Sequence, residues 1–342
     1  MGKNKTVGFI GGKFLPFHLG HVYVIMDASN YVDTLYVVLS SSKKRDRELC
    51  EREGIKYIPA EVRLSWIGEL LNNLDNIKII HIEDDHWDKD YDWEEGAKMI
   101  KKAIGKPIDY VFSSEREYDA HFKKYYPNSK HIVIDDKRKT VDISATEMRK
   151  NLYDHWDKLP DCVKSYFAKK VAIVGTESCG KSTLTKKLAK FYNTNFVHEV
   201  GRDYCERYSN QLTSEMFDQI AIEHYLLQIK KSRESNRVLF IDSEAVVTQY
   251  YLNMYFKGAK SRLVEEIIKL QKYDLVLFLE SDVAWVEDGF RFAGKDKERK
   301  KNNELLKNMF KERKISFESI SGDYVERFVK SRKLIEELFN HK

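Results

Sequence analysis

A short apolar run that opens into a glycine-bounded loop constrains this chain more than any other feature. Val171–Val174 is followed by Gly175-Thr176-Glu177-Ser178-Cys179-Gly180-Lys181-Ser182, which fits G-x-x-x-x-G-K-[ST] at every position, and Ser182–Phe191 continues at helical spacing. Such a loop turns its backbone N–H groups inward around a phosphate, and its glycines permit the dihedrals and the close approach. The helix that follows aims its positive end at the anion. A strand, this loop and a helix in that order commit the second half of the chain to an α/β sheet around a nucleotide. The segment Gly175–Ser182, with Thr183 beside it, is the expected ATP site. Lys181 should reach the β- and γ-phosphates, and Ser182 should offer its hydroxyl to Mg²⁺. Val238–Ile241 is a second apolar run and ends at Asp242, the expected acidic partner for Mg²⁺. A strand-terminal Asp is common in turns, so Asp242 takes its weight from the loop beside it. A kinase also needs a carboxylate for the acceptor hydroxyl and basic cover for the phosphates. Glu199 and Arg291 suit these two tasks, although each residue type is more often a surface ion-pair partner.

The first half carries a different pattern. Val7–Ile10, Thr34–Ser40, Ile77–Ile82, Tyr110–Ser113 and His131–Ile134 read as buried strands, with amphipathic stretches such as Glu61–Leu74 and Trp93–Ile104 between them. This alternation predicts a parallel sheet covered by helices. At 342 residues, two domains are expected, with a boundary near 165: 1–165 and 166–342. The first strand runs into Gly11-Gly12-Lys13-Phe14-Leu15-Pro16-Phe17-His18-Leu19-Gly20-His21. Glycines after a buried strand let a ligand approach the backbone. His18 and His21, on one face at a helix start, can donate to a polyphosphate, with Gly20 leaving room for a nucleotide. A metal site is the alternative, but no third ligand is evident. Ser144-x-x-Glu147 reads as a capping box that starts another helix, with Thr146 and Arg149 placed to hold phosphate oxygens.

Composition removes several classes. The longest apolar runs, such as Leu275–Leu279, fall far short of the about 18–20 residues of a membrane helix, and the N-terminal run meets glycines rather than a cleavage site. Cys50, Cys162, Cys179 and Cys205 form no C-x-x-C pair and read as reduced thiols, which places the expected location in the cytoplasm. A net charge of +5 permits anionic small molecules without pointing to nucleic acid. The basic stretch Lys295–Lys314 reads as a solvated amphipathic helix, with Leu305, Leu306, Met309 and Phe310 at helical spacing. The sequence leaves a homo-oligomer open.

Taken together, Gly12-Lys13-Phe14-x-Pro16-x-His18-x-Gly20-His21 and the downstream Ile143-Ser144-Ala145-Thr146-x-Met148-Arg149 resemble the HxGH nucleotidyltransferase superfamily. Followed by a phosphate loop, this order resembles the NadR family of nicotinamide-nucleotide adenylyltransferases joined to a ribosylnicotinamide kinase. Phe112-Ser113-Ser114-Glu115 is similar to the family's adenine-side strand end. Arg63 and Trp66 resemble its Arg and Trp before the third strand, and Glu199-Val200-Gly201-Arg202 and Trp285–Arg291 resemble segments of its kinase half. The resemblance implies a Rossmann-like HxGH domain followed by a P-loop kinase domain, both α/β with parallel sheets. It implies ATP as co-substrate with Mg²⁺, and nicotinamide mononucleotide, ribosylnicotinamide and NAD as ligands. Lys13, His18, His21 and Arg149 would hold the triphosphate, with His21 at the α-phosphate. Gly11, Gly12, Phe14, Ser113, Ser144 and Thr146 would hold adenosine or phosphates. Arg63, Trp66 or Trp87 would meet the nicotinamide nucleotide, and Glu199, Arg202 and Asp242 the kinase acceptor. Repressor members of the family carry a helix-turn-helix ahead of these domains. The first strand here begins about six residues in, so operator binding is not expected. Two other readings keep the motifs: a transferase and kinase for another phosphorylated acceptor, or a nucleotide sensor without turnover.

Overall fold

The computed structural model describes residues 5–84, 91–283 and 296–340. The chain divides into two compact units, Met1–Val163 and Lys164–Lys342. The division falls inside the helix Asp161–Phe167.

The first unit is built on β1 (Val7–Gly12), β2 (Thr34–Ser41), β3 (Ile77–Glu83), β4 (Tyr110–Ser113) and β5 (Lys130–Val133), in the order β3-β2-β1-β4-β5. Every pairing is parallel. The β1 and β2 runs are buried on both faces, which is why they read as continuous apolar stretches rather than alternating ones. Phe9, Tyr36, Val38 and Val111 pack with Ala97, Ile100 and Ile104 of the helix Trp93–Ile104. The residues between them, Ile10, Leu35, Val37 and Leu39, are buried too and point to the opposite face. Asp92 caps that helix through the N–H groups of Glu94 and Glu95, at 2.9 and 3.0 Å, and Gly105 ends it in the left-handed region at φ 64°. One expectation needs correcting. Gly11 and Gly12 are not a turn after the strand; they belong to β1, in register with Val38 and Leu39 of β2.

The second unit holds β6 (Lys169–Val174), β7 (Phe196–Val197), β8 (Val238–Asp242), β9 (Leu275–Leu279) and β10 (Glu318–Ile320), in the order β10-β9-β6-β8-β7, again parallel. Ala172 and Val174 pack on one face with Val246, Tyr250, Ile267 and Phe310, while Val171 and Ile173 pack on the other with Leu184, Leu188 and Ile335. The basic stretch forms the helix Asp296–Glu312, which buries Leu306, Met309 and Phe310 and leaves Leu305 exposed.

In both sheets the chain leaves the first strand toward one side and later returns to fill the other. The crevice at that reversal, beyond the carboxyl ends of β1 and β4 and of β6 and β8, is where such sheets bind ligands. Close packing at β1 supports the first crevice. A Cβ at Gly8 would stand 2.6 Å from Phe112 Cε2 and 3.2 Å from Val32 Cγ1. Gly8→Ala is therefore expected to cost about 1–3 kcal/mol, read as a lower urea midpoint in equilibrium unfolding.

Candidate active sites

The first crevice is a cleft lined by Gly11, Gly12, Phe14, His18, His21, Ser113, Ser144 and Thr146. Its centre is the start of the helix Leu19–Ser29. His18 is the N-cap, and its Nδ1 accepts from the Gly20 N–H at 3.1 Å. His21 lies at the third helical position, and its Nδ1 accepts from the His18 N–H at 3.3 Å. Two imidazoles thus make a capping box, a task usually left to hydroxyls and carboxylates. The rings stack with centroids 3.7 Å apart. Two cations could not sit so close. Burial, helped by Arg138 and Arg149, holds His18 down to about 3. Burial, His18, Arg138 and Arg149 likewise hold His21 well below its usual value. Since each Nδ1 accepts, each neutral ring carries its proton on Nε2. The Nε2 of His18 is buried with no partner among the described residues. A phosphate oxygen would supply one.

Gly20 lines the cleft, and a Cβ there would stand 2.9 Å from Cε1 and Nδ1 of His18, so the glycine also makes room for the imidazole. Ser113 Oγ hydrogen-bonds His131 Nε2 at 2.8 Å and donates to the Glu115 carbonyl at 3.0 Å, while His131 Nδ1 meets Asp119 at 3.1 Å. Ser144 caps the helix Ala145–Lys150 through the Glu147 N–H at 3.0 Å.

The cations expected around the triphosphate are placed otherwise. Arg149 is buried beneath the cleft and does not line it; it donates to the Leu15 carbonyl at 2.8 Å and to Thr146 Oγ1 at 3.1 Å. Lys13 pairs with Asp46 at 2.8 Å, outside the lining. Arg63 is 1% exposed and is spent on Asp46 at 2.7 Å and the Lys13 carbonyl at 2.7 Å, and Trp66 is buried in the same helix. Neither lines the cleft. The cation that does line it is Arg138, in a segment to which the sequence reading makes no assignment. Trp87 and Arg291 lie outside the described residues.

The second crevice is a cleft into which the residues Glu177–Thr183 open. Gly175 (φ 148°) and Gly180 (φ 87°) hold dihedrals that side chains disfavour, and a Cβ at Gly175 would stand 2.7 Å from the Leu279 carbonyl. Lys181 is buried, and its Nζ donates to the Thr176 carbonyl at 3.0 Å. Burial opposes its charge, but Cys179, Glu199, Asp242 and Glu177 hold its pKa above the usual value. Asp242 ends β8, and the Ser182 side chain hydrogen-bonds it. Burial and Glu199 push Asp242 up to about 6, against Lys181, the Ser182 bond and Arg202. Asp242 Oδ1 has no partner among the described residues. A buried orphan carboxylate oxygen beside a serine hydroxyl suits a hard cation that takes its remaining oxygens from phosphate and water.

Glu199 and Arg202 line the same cleft and approach to 4.0 Å, and Ser243 Oγ lies 3.5 Å from Glu199 Oε1. Phe217, Tyr251 and Tyr255 form an aromatic wall there, and Glu244 adds a carboxylate that burial raises to about 7. Sequence reading missed these four. Tyr251 and Tyr255 sit one turn apart in the helix Ala245–Tyr255, a spacing that reads equally well as core.

Paired imidazoles at one sheet's switch point and a complete phosphate loop at the other's define a two-domain enzyme of nucleotide chemistry, a nucleotidyltransferase joined to a kinase. Comparison with known proteins agrees. Residues 9–151 match the cytidylyltransferase-like family and residues 170–327 the AAA domain family. The chain is 33% identical over 98% of its length, and over 84% of the relative, to the trifunctional NAD biosynthesis/regulator protein NadR of Escherichia coli (strain K12), with the same figures for that of Salmonella typhimurium (strain LT2). The chain belongs to the NadR family. A crystal structure of a NadR protein in complex with NR shares the fold, with a TM-score of 0.80 at 23% identity, covering 99% of this chain and 97% of that one.

The buried imidazoles make the first unit acid-sensitive. Below the usual value of 6.5 the unfolded chain takes protons that folded His18 refuses until about 3. Stability should therefore fall as pH drops through that window, by up to about 1.4 kcal/mol per pH unit for each imidazole. The urea midpoint measured from pH 7 to pH 4 should show the slope, and His18→Gln should flatten it.

Proposed function

We propose that the chain makes NAD in two steps, one at each cleft. In the second unit, the 5′-hydroxyl of ribosylnicotinamide attacks the γ-phosphate of ATP and yields nicotinamide mononucleotide and ADP. In the first, the 5′-phosphate of that mononucleotide attacks the α-phosphate of a second ATP and yields NAD and pyrophosphate. The observation that carries this reading is the presence of two separate clefts in a chain of the NadR family, one behind neutral paired imidazoles and one behind a buried lysine.

The adenylyl transfer needs no enzyme nucleophile, because the attacking oxygen is already anionic. The protein's work there is alignment and charge stabilisation. Nε2 of His18 and of His21 are fixed donors, with His21 assigned to the α-phosphate. Gly11 and Gly12 keep the end of β1 low beneath the nucleotide, and Phe14, Ser113, Ser144 and Thr146 line the space for adenosine and phosphates. Arg149 and Lys13 act from behind, through the loop they hold.

The kinase acceptor is a neutral hydroxyl, so a carboxylate must orient it or take its proton. Glu199 has that role, with Asp242 and Ser182 holding Mg²⁺, which when bound neutralises phosphate charge. Lys181 and the N–H groups of the loop grip the β- and γ-phosphates. The acceptor's pyridinium ring is cationic, which suits a pocket walled by Phe217, Tyr251 and Tyr255 and edged by Glu177, Glu199 and Glu244. The four cysteines are free and fit a reducing cytoplasm, and no described helix is long and apolar enough to cross a membrane.

Two variants separate the steps. His21→Ala should lower NAD and pyrophosphate formation from ATP and nicotinamide mononucleotide by about 100-fold or more while leaving phosphorylation of ribosylnicotinamide intact. Lys181→Ala should do the reverse. Pyrophosphate release and acceptor phosphorylation, assayed on the same preparations, check both. Loss of both activities in one folded variant would overturn the two-site reading.

A further inference from the structure

The triphosphate in the first cleft has an anion problem that the expected residues leave unsolved. Lys13 is paired with buried Asp46, and Arg149 is turned to the Leu15 carbonyl and Thr146. Two neutral imidazoles donate hydrogen bonds but bring no charge. Among the described residues that line the cleft, Arg138 is the one arginine or lysine.

Its placement suits the task. Arg138 sits in the turn that follows β5, where Asp135 accepts from the Lys139 N–H at 2.8 Å and the Thr140 N–H at 3.1 Å. Arg116 and Asp136 tie the same turn to the segment after β4. The backbone that carries Arg138 is therefore held at both flanks. Its side chain is 37% exposed, and among the described residues its partner is Glu115 Oε1 at 2.6 Å through Nη2. Glu115 is itself 39% exposed and lines the cleft. A half-exposed pair of this kind is held weakly, and a polyphosphate offers a guanidinium more charge and more acceptors than one carboxylate does. Arg138 is also close enough to bear on the protonation of both imidazoles.

We propose that Arg138 is a triphosphate-binding residue of the first cleft, parked on Glu115 until the nucleotide arrives and then turned onto its phosphate oxygens beside His18 and His21. The proposal rests on the nucleotidyltransferase reading of that cleft.

The test is titration of MgATP in a Lys181→Ala background, which removes the second cleft's grip, with no acceptor present. Arg138→Ala should weaken binding by about tenfold or more, and Arg138→Lys should recover part of the loss. Glu115→Gln releases the guanidinium from the other side of the pair and should tighten MgATP binding. Were Arg138 only a strut for its turn, Arg138→Ala and Glu115→Gln would act alike. Equal weakening by the two variants, or a change under twofold for Arg138→Ala in protein with an unaltered melting temperature, overturns the proposal. The binding readout needs no turnover. If the parent chain with its lysine intact made no NAD while Arg138→Ala still weakened MgATP, the adenylyl-transfer reading would fall and the arginine would stand.

Discussion

A parallel sheet covered on both faces leaves one place for chemistry, and both units of this chain are built under that constraint. Helices bury the faces, so polar groups can gather only at the strand ends. The carboxyl ends are favoured because each following helix presents its free N–H groups there. The order β3-β2-β1-β4-β5 opens a crevice beside β1, and β10-β9-β6-β8-β7 opens one beside β6. Every residue assigned to phosphate lies within a few positions of one of those strand ends or on the helix start that faces it.

The two crevices meet the same anion with different electrostatics. The second places a buried ammonium, Lys181, among Cys179, Glu199, Asp242 and Glu177, so its charge is kept although it lies in the interior. The first places neutral rings. Burial, with Arg138 and Arg149 nearby, strips His18 and His21 of charge, and their role in the capping box fixes which nitrogen keeps the proton. Donors held in this way need no reorganisation when a phosphate arrives, which is how preorganised dipoles stabilise a transition state. Positive charge must then come from a side chain that can move, and this is the place Arg138 fills.

Strand–loop–helix order, the phosphate loop and the paired histidines were legible because each depends on local spacing. β1, β2, β4, β6, β8 and β9 stood out as apolar runs because most of their residues are buried. β10 did not, since Glu318–Ile320 has two exposed polar residues and is a strand only through its ladder with β9. The aromatic wall of the second cleft was illegible for a related reason: tyrosines one turn apart on a helix look the same whether they face a core or a ligand. Arg63, Trp66 and Arg149 were picked out by their motifs, which do not record which way a side chain points.

The fate of those arginines follows from the geometry of phosphate loops. A loop that turns its N–H groups toward an anion turns its carbonyls away, into the protein, where each needs a donor. Arg63 donates to the Lys13 carbonyl and Arg149 to the Leu15 carbonyl, both on the loop that leads to His18. In the second unit, Arg327 from the helix Tyr324–Asn340 donates to the Cys179 carbonyl of the phosphate loop and to the Glu280 carbonyl beyond β9. A guanidinium suits this work because its five donors fan out in one plane and its charge survives burial, helped at Arg63 by Asp46 and at Arg327 by Asp282. The same residue type therefore serves both sides of a phosphate loop, and the side it serves is decided by whether its donors meet the loop's carbonyls or its side chain lines the cleft. By that criterion Arg63, Arg149 and Arg327 shape the loops, and Arg138 faces the ligand.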